Sequence, residues 1–345
     1  MIGIAGYGIY FPKYRIQLAQ IAQVWKKEIG EISSGLLVEE KTVQGIDEDA
    51  ITMGVEAGRR AIHMAGIQPE EIRALYVGSE SHPYAVNPSS TTIASYLGLG
   101  NEYFTADLEF ACKAATAGMQ VLNGLLLHTS LGYGIVIGSD TAQAKPHDVL
   151  EYTSASAAAA YILTNKADAS IATIVAMTSF ASDTPDFWRR DGQRYPSHFG
   201  RFTGEPAYFT HVAQAGKQLL EQSHLTPRDF DYCVFHAPNG KFPRVVAKQL
   251  GFTPEQLAPS LVVGKIGNPY SASSLVGLAS VLDNAKPHQK IFFVSYGSGA
   301  GADGFIFQTT PKIVQRKRDS KKVSALIDEK TYISYPEYLR HTHTI

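Results

Sequence analysis

The chain has two cysteines, and one of them stands where a nucleophile could be useful. Residues 109–118, EFACKAATAG, place Cys112 directly before a run of small residues that predicts a helix over 113–124. A buried thiol is most often an inert packing residue. At the first turn of a helix, however, a thiol meets the positive end of the helix dipole, where the thiolate is favoured. We therefore interpret Cys112 as a candidate nucleophile at the floor of a pocket.

Two further side chains could act as general acids or bases. Glu80 follows the predicted strand 74–78 in the sequence GSESHP, and His236 follows the predicted strand 231–235 in FHAPNGK. Taken alone, a histidine or a glutamate of this kind is more often structural than catalytic. Their positions in an internal repeat make them stronger candidates.

The repeat is seen when residues 67–80, IQPEEIRALYVGSE, are aligned with residues 225–238, LTPRDFDYCVFHAP. Each copy is followed, in the same order, by a Leu-Gly pair, a helix of small residues and two nearly continuous apolar strands. A repeated order of elements indicates duplicated structural units. Strands that are apolar along their whole length are buried on both faces, which is typical of layered α/β proteins.

The repeat predicts an α/β fold built from two similar halves, residues 1–170 and residues 171–312. Equivalent strands of the two halves should end near each other, which would bring the loops that carry Glu80 and His236 together. The remaining segment, residues 313–345, begins with the charged run QRKRDSKK and is rich in aromatic residues. We expect this tail to be a surface segment or a partner contact rather than core.

Three other segments bear on the candidate site. Asn268 begins the second small-residue helix, in KIGNPYSASS, as Cys112 begins the first; its amide could face the thiol or simply cap the helix. The glycine-rich segment 296–304 lacks the lysine of a phosphate-binding loop and is interpreted as a turn that exposes backbone amides. Residues 183–209 gather four arginines and several aromatic residues, and form either a pocket mouth for a CoA-sized anion or a solvated loop.

Composition limits the kinds of partner. A net charge of −1 gives no broad basic surface for nucleic acid. The longest apolar stretches are far shorter than the roughly 20 residues that span a bilayer, and the first residues lack the basic start of a signal peptide. Two cysteines in a chain of 345 residues fit a reducing compartment, so we expect a cytoplasmic protein. No cluster with metal-ligand spacing is evident in the sequence.

The segments GIAGYGIYFP, VGSES, EFACKAATAG, FHAPNGK, GNPYSASS and YGSGAGADG together resemble the thiolase superfamily. Within it they resemble the archaeal-type 3-hydroxy-3-methylglutaryl-CoA (HMG-CoA) synthases, over nearly the whole chain. The resemblance implies a thiolase-like five-layered α/β fold, a dimer, Cys112 as the acetylated nucleophile, and Glu80 and His236 as acid/base groups. It also implies a set of substrate residues, Thr153, Thr203, Asn268 and Ser298, and a pair near the CoA phosphates, Arg201 and Lys241. Relatives have a second arginine shortly after that lysine, whereas here Val245 follows Arg244.

The activity implied by this resemblance is the condensation of acetyl-CoA with acetoacetyl-CoA to give HMG-CoA and CoA, a step of the mevalonate route to isoprenoids. The CoA thioesters are substrates, and no metal or redox cofactor is implied. The resemblance also implies an acetoacetyl-CoA thiolase and a small zinc-binding OB-fold protein as partners. Two alternatives remain: a 3-oxoacyl synthase of the initiating type, against which Glu80 argues, and a non-catalytic thiolase-like scaffold whose tail binds partners.

Overall fold

The computed structural model describes residues 1–315 and 320–345. Its strands are β1 (Gly3–Tyr10), β2 (Tyr14–Gln17), β3 (Glu40–Val43), β4 (Ile72–Gly78), β5 (Phe104–Leu108), β6 (Tyr133–Asp140), β7 (Ala157–Thr164), β8 (Ala172–Thr184), β9 (Phe187–Trp188), β10 (Ser197–His198), β11 (Tyr232–Phe235), β12 (Lys290–Val294), β13 (Gly299–Thr309) and β14 (Thr331–Tyr332). Its helices are α1 (Leu18–Val24), α2 (Ile29–Leu36), α3 (Ala50–Ala65), α4 (Ser89–Leu97), α5 (Ala114–His128), α6 (Phe209–Ser223), α7 (Phe242–Leu250), α8 (Pro254–Leu257), α9 (Val263–Ile266), α10 (Ser273–Leu282), α11 (Val323–Asp328) and α12 (Tyr335–His341).

A nine-stranded sheet has the order β11-β12-β13-β8-β1-β7-β6-β4-β5. In the first part of the chain, β4 is parallel to β6, and β7 is antiparallel to both β6 and β1. The second part repeats this pattern, because β11 is parallel to β12, and β13 is antiparallel to both β12 and β8. Among the strands of residues 1–315 and 320–345, the two sets pair with each other through one short contact, in which Gly3 and Ile4 face Thr173 and Ala172. This correspondence supports the proposed division near residue 170.

The helices form three layers. One layer covers the outer face of each set of strands, and the third lies between the two sets. Helices α3 and α4 cover an outer face of β4, β6 and β7. Helices α6 and α7 cover an outer face of β11, β12 and β13. Between the two ends lies a central core to which α5 contributes Met119 and Leu122, and α10 contributes Leu275 and Leu278. The arrangement is the predicted five-layered α/β fold.

The small residues of the central layer allow close contact between backbones. A methyl group on Gly78, the last residue of β4, would lie 2.2 Å from the backbone nitrogen of Ala115 in α5. A methyl group on Gly138 of β6 would lie 2.7 Å from the carbonyl oxygen of Ser271. Such contacts exclude any side chain larger than hydrogen. The start of α5 and the turn before α10 are therefore seated directly on neighbouring strands of the first half.

Residues 320–345 are not a loose surface segment, and the prediction that the tail would lie outside the core is wrong for this part. Strand β14 pairs with β2, and Ile333 and Tyr338 are 4% and 2% exposed. The hydroxyl of Tyr335 donates a hydrogen bond of 2.8 Å to Glu151. Aromatic side chains can bury their rings while their hydroxyl groups find polar partners. Of the charged run QRKRDSKK, residues 316–319 lie outside the described residues.

Several element boundaries differ from the prediction by one to four residues. Strand β12 ends at Val294, and Gly297 and Gly301 exchange two backbone hydrogen bonds of 2.8 Å in the turn that follows. The helix expected from residue 113 begins at Ala114. In the described part of the chain, every helix is either too short or too polar to cross a membrane.

Candidate active site

Cys112 and Glu80 are in direct contact. The thiol of Cys112 donates a hydrogen bond of 3.1 Å to Oε1 of Glu80. Glu80 stands two residues beyond the end of β4, and Cys112 stands two residues before the start of α5. The residue before the thiol, Ala111, has a φ of 43°, so the chain turns sharply there. The end of β4 and the start of α5 therefore bring the Glu80 carboxyl group into contact with the Cys112 thiol.

Burial keeps protons on this pair. It raises the pKa of Glu80 to about 8, with a further rise from the charge of Asp140, while the hydrogen bond from Cys112 and the charge of Arg189 lower it. Burial, and then the charge of Glu80, raise the pKa of the Cys112 thiol well above its usual value. Burial and the charge of Glu80 therefore oppose the thiolate that the position before α5 was expected to favour.

Asp140 connects the Glu80 loop with the second half of the chain. One of its oxygens accepts hydrogen bonds from the hydroxyls of Ser79 and Ser81, at 2.8 and 2.7 Å, and from the Glu80 amide at 2.8 Å. The other accepts from the amide and hydroxyl of Ser271, at 2.9 and 2.6 Å. Sequence reasoning missed Asp140; its signal is an aspartate at the end of a buried strand, in GIVIGSD.

His236 lies at the end of β11 and is 1% exposed. Burial lowers its pKa to about 3, so the imidazole is neutral near pH 7. Its Nδ1 is buried without a hydrogen-bond partner in the residues that the structure describes. Its ring lies 6.2 Å from that of Tyr296, whose phenol is in turn within electrostatic reach of Cys112. The Tyr296 side chain is thus near both the histidine ring and the thiol.

Asn268 does not cap the small-residue helix, because α10 begins only at Ser273 with Ala272 as its N-cap. Its side-chain oxygen closes a turn instead, and its amide nitrogen remains available. Its Oδ1 accepts a hydrogen bond of 3.0 Å from the Tyr270 amide, and its backbone amide donates one of 2.7 Å to Thr153. Within residues 1–315 and 320–345, no hydrogen bond is made by the Asn268 side-chain nitrogen. The charges of Glu80 and Cys112 raise the pKa of Tyr270, after burial, so this turn borders the thiol.

Thr203 and Ser298 meet around a second buried aspartate that the sequence did not single out. Asp186 is fully buried and accepts hydrogen bonds of 2.9 Å from the Tyr296 hydroxyl and 2.7 Å from the Gly299 amide. The hydroxyl of Thr203 donates to its carbonyl oxygen at 3.3 Å, and Ser298 bonds to Tyr296. The charge of Asp186 also reaches Cys112. Its sequence signal is weak, since it is one acidic residue in the arginine-rich segment.

Arg201 and Lys241 are exposed cations with no ion pair in the described chain. Arg201 lies in the short 3-10 turn Gly200–Thr203, and Lys241 directly precedes α7. Nearby, Trp188 and Phe199 are 38% and 62% exposed, with ring centroids 5.2 Å apart. An unpaired arginine two residues along the chain from the exposed Phe199 ring suits a ligand that has both phosphates and an adenine.

A cavity of about 570 Å³ reaches Glu80 from the side of the β9–β10 hairpin. The lining includes Trp188, Arg189 and Arg190 from the predicted mouth segment. Arg201 and Lys241 are not among the residues that line it. Across the described ranges, no three His, Cys, Asp or Glu side chains are grouped to hold a metal ion.

A buried ion pair beside the nucleophile was also missed. Lys113 follows Cys112 directly, and its ammonium lies 3.0 Å from Oδ1 of Asp303, both side chains being at most 4% exposed. Asp303 also accepts hydrogen bonds of 2.8 Å from Thr116 and Ser179. The pair connects the start of α5 with β13. Neither residue type nor spacing in the sequence indicates this contact.

Comparison with known proteins agrees with this architecture. Residues 220–309 match the family model described as 3-oxoacyl-[acyl-carrier-protein (ACP)] synthase III C terminal. The structure of MvaS in complex with 3-hydroxy-3-methylglutaryl coenzyme A aligns with a TM-score of 0.90 at 23% identity, covering 99% of this chain and 91% of that one. The 3-oxoacyl-[acyl-carrier-protein] synthase III of Aquifex aeolicus aligns with a TM-score of 0.83 at 17% identity, covering 89% and 100%. These structures share the thiolase-like fold.

Sequence relatives are much closer. The hydroxymethylglutaryl-CoA synthase of Archaeoglobus fulgidus is 54% identical over 345 residues, which cover 100% of this chain and 99% of that protein. The hydroxymethylglutaryl-CoA synthase of Methanopyrus kandleri is 48% identical over 339 residues, covering 98% and 96%. Identity at this level over the full length of both partners establishes common membership: the chain belongs to the archaeal hydroxymethylglutaryl-CoA synthase family.

Proposed function

We propose that this chain condenses acetyl-CoA with acetoacetyl-CoA, through an acetyl group held on Cys112, to form HMG-CoA and CoA. The observation that carries the proposal is the 3.1 Å hydrogen bond between the Cys112 thiol and the Glu80 carboxyl group. It sets a nucleophile and a proton acceptor side by side, which covalent acyl chemistry followed by carbon-acid chemistry needs. Full-length relatives that are named hydroxymethylglutaryl-CoA synthases support the same reaction.

In the first step the sulfur of Cys112 attacks the acetyl carbonyl of acetyl-CoA. The bond between that carbon and the CoA sulfur breaks, and the thiol proton of Cys112 ends on the departing CoA. Because burial holds the thiol protonated, attack and proton loss are coupled, and no free thiolate accumulates. The product is a thioester, whose methyl protons are more acidic than those of an ester or amide.

Glu80 then acts as the base. It takes a proton from the acetyl methyl group, and the resulting carbon nucleophile attacks the ketone carbon of acetoacetyl-CoA. A carboxyl pKa of about 8 makes Glu80 a stronger base than an ordinary glutamate when it is ionised. The cost is that only a minority of molecules are ionised at pH 7. Acylation of Cys112 removes the thiol donor that now contacts this carboxyl group.

His236 and Asn268 serve the oxygen of the attacked ketone. The neutral imidazole can donate a hydrogen bond to that oxygen, as can the free amide nitrogen of Asn268. Both groups favour the alkoxide that forms as the carbon–carbon bond is made. His236 gives this alkoxide its proton, which becomes that of the 3-hydroxyl group, and the proton that Glu80 took from the methyl group replaces it. Water then attacks the remaining thioester at Cys112, so that HMG-CoA leaves with a free carboxylate and the thiol regains its proton.

Substrate binding falls to residues around this centre. We assign Arg201 and Lys241 to the phosphates of the CoA moiety, because both are exposed and unpaired within the described ranges. Thr153, Thr203 and Ser298 would contact the acyl groups from the same pocket as Asn268. At position 245 a valine replaces the second arginine of the family pattern, and it is 42% exposed. This chain therefore makes one phosphate contact fewer at that position.

The working unit proposed here is a homodimer. Strand β5 forms an end of the nine-stranded sheet, and within the described chain only β4 pairs with it. Phe104, its first residue, is 55% exposed, and a strand edge with exposed apolar residues is a ready surface for pairing. An acetoacetyl-CoA thiolase and a small zinc-binding OB-fold protein are further partners that we infer from the family alone.

The test is the mass of the protein after brief exposure to acetyl-CoA. We expect one acetyl adduct, mapped to Cys112, and none on Cys233, which is fully buried and whose pKa burial raises. Later addition of acetoacetyl-CoA should discharge the adduct and give HMG-CoA. A product formed instead from a malonyl-carrier would favour the 3-oxoacyl synthase reaction. No adduct on Cys112 with either donor would leave the chain a non-catalytic scaffold.

A further inference from the structure

We infer that Arg189 is a positioning residue for Glu80, and that the C-terminal residues 342–344 hold the hairpin that carries it. The hairpin comprises residues 187–198 and is called the arginine hairpin below. It belongs to the second half of the chain, whereas Glu80 belongs to the first. The inference rests on the proposed role of Glu80 as the base.

The contact with Glu80 is made through the backbone. Nη2 of Arg189 donates a hydrogen bond of 2.8 Å to the carbonyl oxygen of Glu80, and Arg189 lines the same cavity as the Glu80 side chain. The guanidinium group therefore does two things at once. It fixes the chain at the residue whose carboxyl group meets Cys112, and it places a positive charge close to that carboxyl group.

The arginine hairpin has few contacts of its own. Its strands pair over two residue pairs, Trp188 with Ser197 and Phe187 with His198. A two-stranded hairpin of this length is not stable by itself in water. One anchor is His198, whose Nε2 lies 3.0 Å from Oδ1 of Asp148. The rest of the hairpin must be held from elsewhere.

The C-terminal end of the chain supplies that support. Nη2 of Arg194 donates a hydrogen bond of 2.9 Å to the carbonyl oxygen of Thr342 and a second one to that of His343. The hydroxyl of Tyr195 lies 3.3 Å from that of Thr344. Residues 342–344 are in turn fixed to α12, whose Tyr338 is buried in the core. The tail that composition marked as peripheral thus contacts the hairpin that lines the cavity beside the base.

The charge effect has a definite sign. The groups that face the Glu80 carboxyl are the Cys112 thiol, the Asp140 carboxylate, the Tyr270 phenol and the Arg189 guanidinium. Of these, Arg189 is the positive one, and Asp140 acts in the opposite direction. Burial and Asp140 raise the pKa of Glu80 and Arg189 lowers it, so removal of the Arg189 charge should raise that pKa. Ionised Glu80 then becomes rarer at any given pH, and proton abstraction must move to higher pH.

The experiment follows solvent deuterium into the acetyl group of the Cys112 thioester as a function of pH, by mass spectrometry. For Arg189→Gln we expect the rising limb to move up by about half a pH unit, which slows exchange about threefold at neutral pH; the shift is modest because Arg189 is exposed. Arg189→Lys keeps the charge and should restore most of the wild-type profile. Arg190→Gln is the matched control, since Arg190 lines the same cavity without a contact to Glu80.

Deletion of residues 342–345 tests whether the C-terminal residues hold the arginine hairpin in place. The deletion should move the rise of the exchange rate to higher pH, as Arg189→Gln does. In the combined variant the two changes should not add. An Arg189→Gln profile that matches that of Arg190→Gln would overturn the role of Arg189. A deletion that leaves the profile unchanged would overturn the role of the C-terminal residues.

These outcomes are separate from a failure of the proposed reaction. Glu80→Gln should abolish exchange if Glu80 is the base. If Glu80→Gln exchanges the acetyl protons at the wild-type rate, the proposed role of Glu80 fails and the positioning role fails with it. If Glu80→Gln is inactive in exchange while Arg189→Gln behaves as wild type, the reaction stands and only the positioning role is lost.

Discussion

Ser271 donates both its backbone amide and its hydroxyl to one oxygen of Asp140, at 2.9 and 2.6 Å. Asp140 ends β6 in the first half, and Ser271 lies in the turn before α10 in the second. The other oxygen of Asp140 accepts a hydrogen bond from the amide of Glu80. A single buried carboxylate therefore fixes the proposed base and the turn that carries Asn268 relative to each other.

Asp140→Asn should affect both stability and the base. The amide group brings an NH₂ donor to a site where every partner is already a donor, so at least one hydrogen bond is lost, at a cost of about 1–3 kcal/mol. Loss of the negative charge should also lower the pKa of Glu80, because Asp140 raises it. Exchange of acetyl protons should then rise at lower pH than in the wild type, the opposite of Arg189→Gln.

Denaturant unfolding and the exchange profile measure these two effects. Ser139→Ala is the matched control, since the Ser139 hydroxyl is buried beside Asp140 without a partner in the described chain. It should leave both measurements close to wild type. If exchange in Asp140→Asn rose at a higher pH than in the wild type, the claim that the charge of Asp140 raises the pKa of Glu80 would be contradicted.

The repeat in the sequence indicated which residues lie at strand ends, because equivalent strands end at equivalent positions. It predicted that the loops of Glu80 and His236 converge, whereas the shared site of Glu80 and Cys112 was implied only by the family resemblance. The contact of Asp140 could not be predicted, because its partner Ser271 is 131 positions away and serines are common. The Lys113–Asp303 pair was invisible for the same reason. Such contacts depend on how two halves dock, and no local pattern records docking.

The tail shows how composition can mislead. Charged residues dominate 315–322, and this biased the prediction for the whole segment toward the surface. Farther on, Tyr335 and Tyr338 are 7% and 2% exposed, because their hydroxyl groups bond to Glu151 and Lys41. A tyrosine is polar in a composition count but mostly apolar in area. The rise in the pKa of the thiol could not be predicted either, since burial depends on tertiary structure.

Lys113→Met should lower stability markedly. It would leave the carboxylate of Asp303 buried without its cation, and breaking a buried pair from one side costs about 3–5 kcal/mol. Urea unfolding measures the loss. Lys265→Met removes an ion pair with Glu39 that is exposed on both sides, and it should cost less than about 1 kcal/mol. Equal losses in the two variants would contradict the assignment of Lys113–Asp303 as a buried pair.

Cys112→Ser should bind CoA esters but carry no acetyl group and form no HMG-CoA. A serine hydroxyl has a far higher pKa than a thiol and is a weaker nucleophile, so proton loss coupled to attack is much harder for serine than for cysteine. Calorimetry of CoA-ester binding and intact mass after acetyl-CoA treatment measure the two properties. Cys233→Ser, at the other buried cysteine, should still be acetylated at Cys112. Turnover of Cys112→Ser at the wild-type rate would end the covalent proposal.

Arg201→Ala and Lys241→Ala should each weaken CoA-ester binding and reduce its dependence on salt. Each removes one proposed phosphate partner, and interactions of exposed charges are screened by salt. Binding titrations at low and high ionic strength measure both effects. Lys248→Ala, farther along α7, is the control and should bind as the wild type does. Unchanged affinity and salt dependence in both variants would move the CoA phosphates to another surface.

The last prediction separates Glu80 from His236 by the step at which each variant stalls. Glu80→Ala should still acetylate Cys112, because thioester formation needs no carboxylate, and it should then accumulate acetyl-enzyme. General-base catalysis typically contributes about 100- to 10,000-fold, so exchange of the acetyl protons should fall by an amount in that range. In the wild type, exchange should rise with pH through about 8, the pKa of Glu80, at which half of the carboxyl groups are ionised.

His236→Ala should behave differently, because the imidazole is assigned to the ketone oxygen and not to the methyl proton. Its acetyl-enzyme should exchange protons nearly as fast as the wild type but react poorly with acetoacetyl-CoA. A pKa of about 3 also means that His236 adds no second limb to the exchange profile between pH 5 and 9. Both variants are followed by mass spectrometry of the acetyl-enzyme in deuterated buffer, before and after acetoacetyl-CoA is added. If Glu80→Ala exchanges as fast as the wild type while His236→Ala does not exchange, the two roles are reversed, and the base is the histidine.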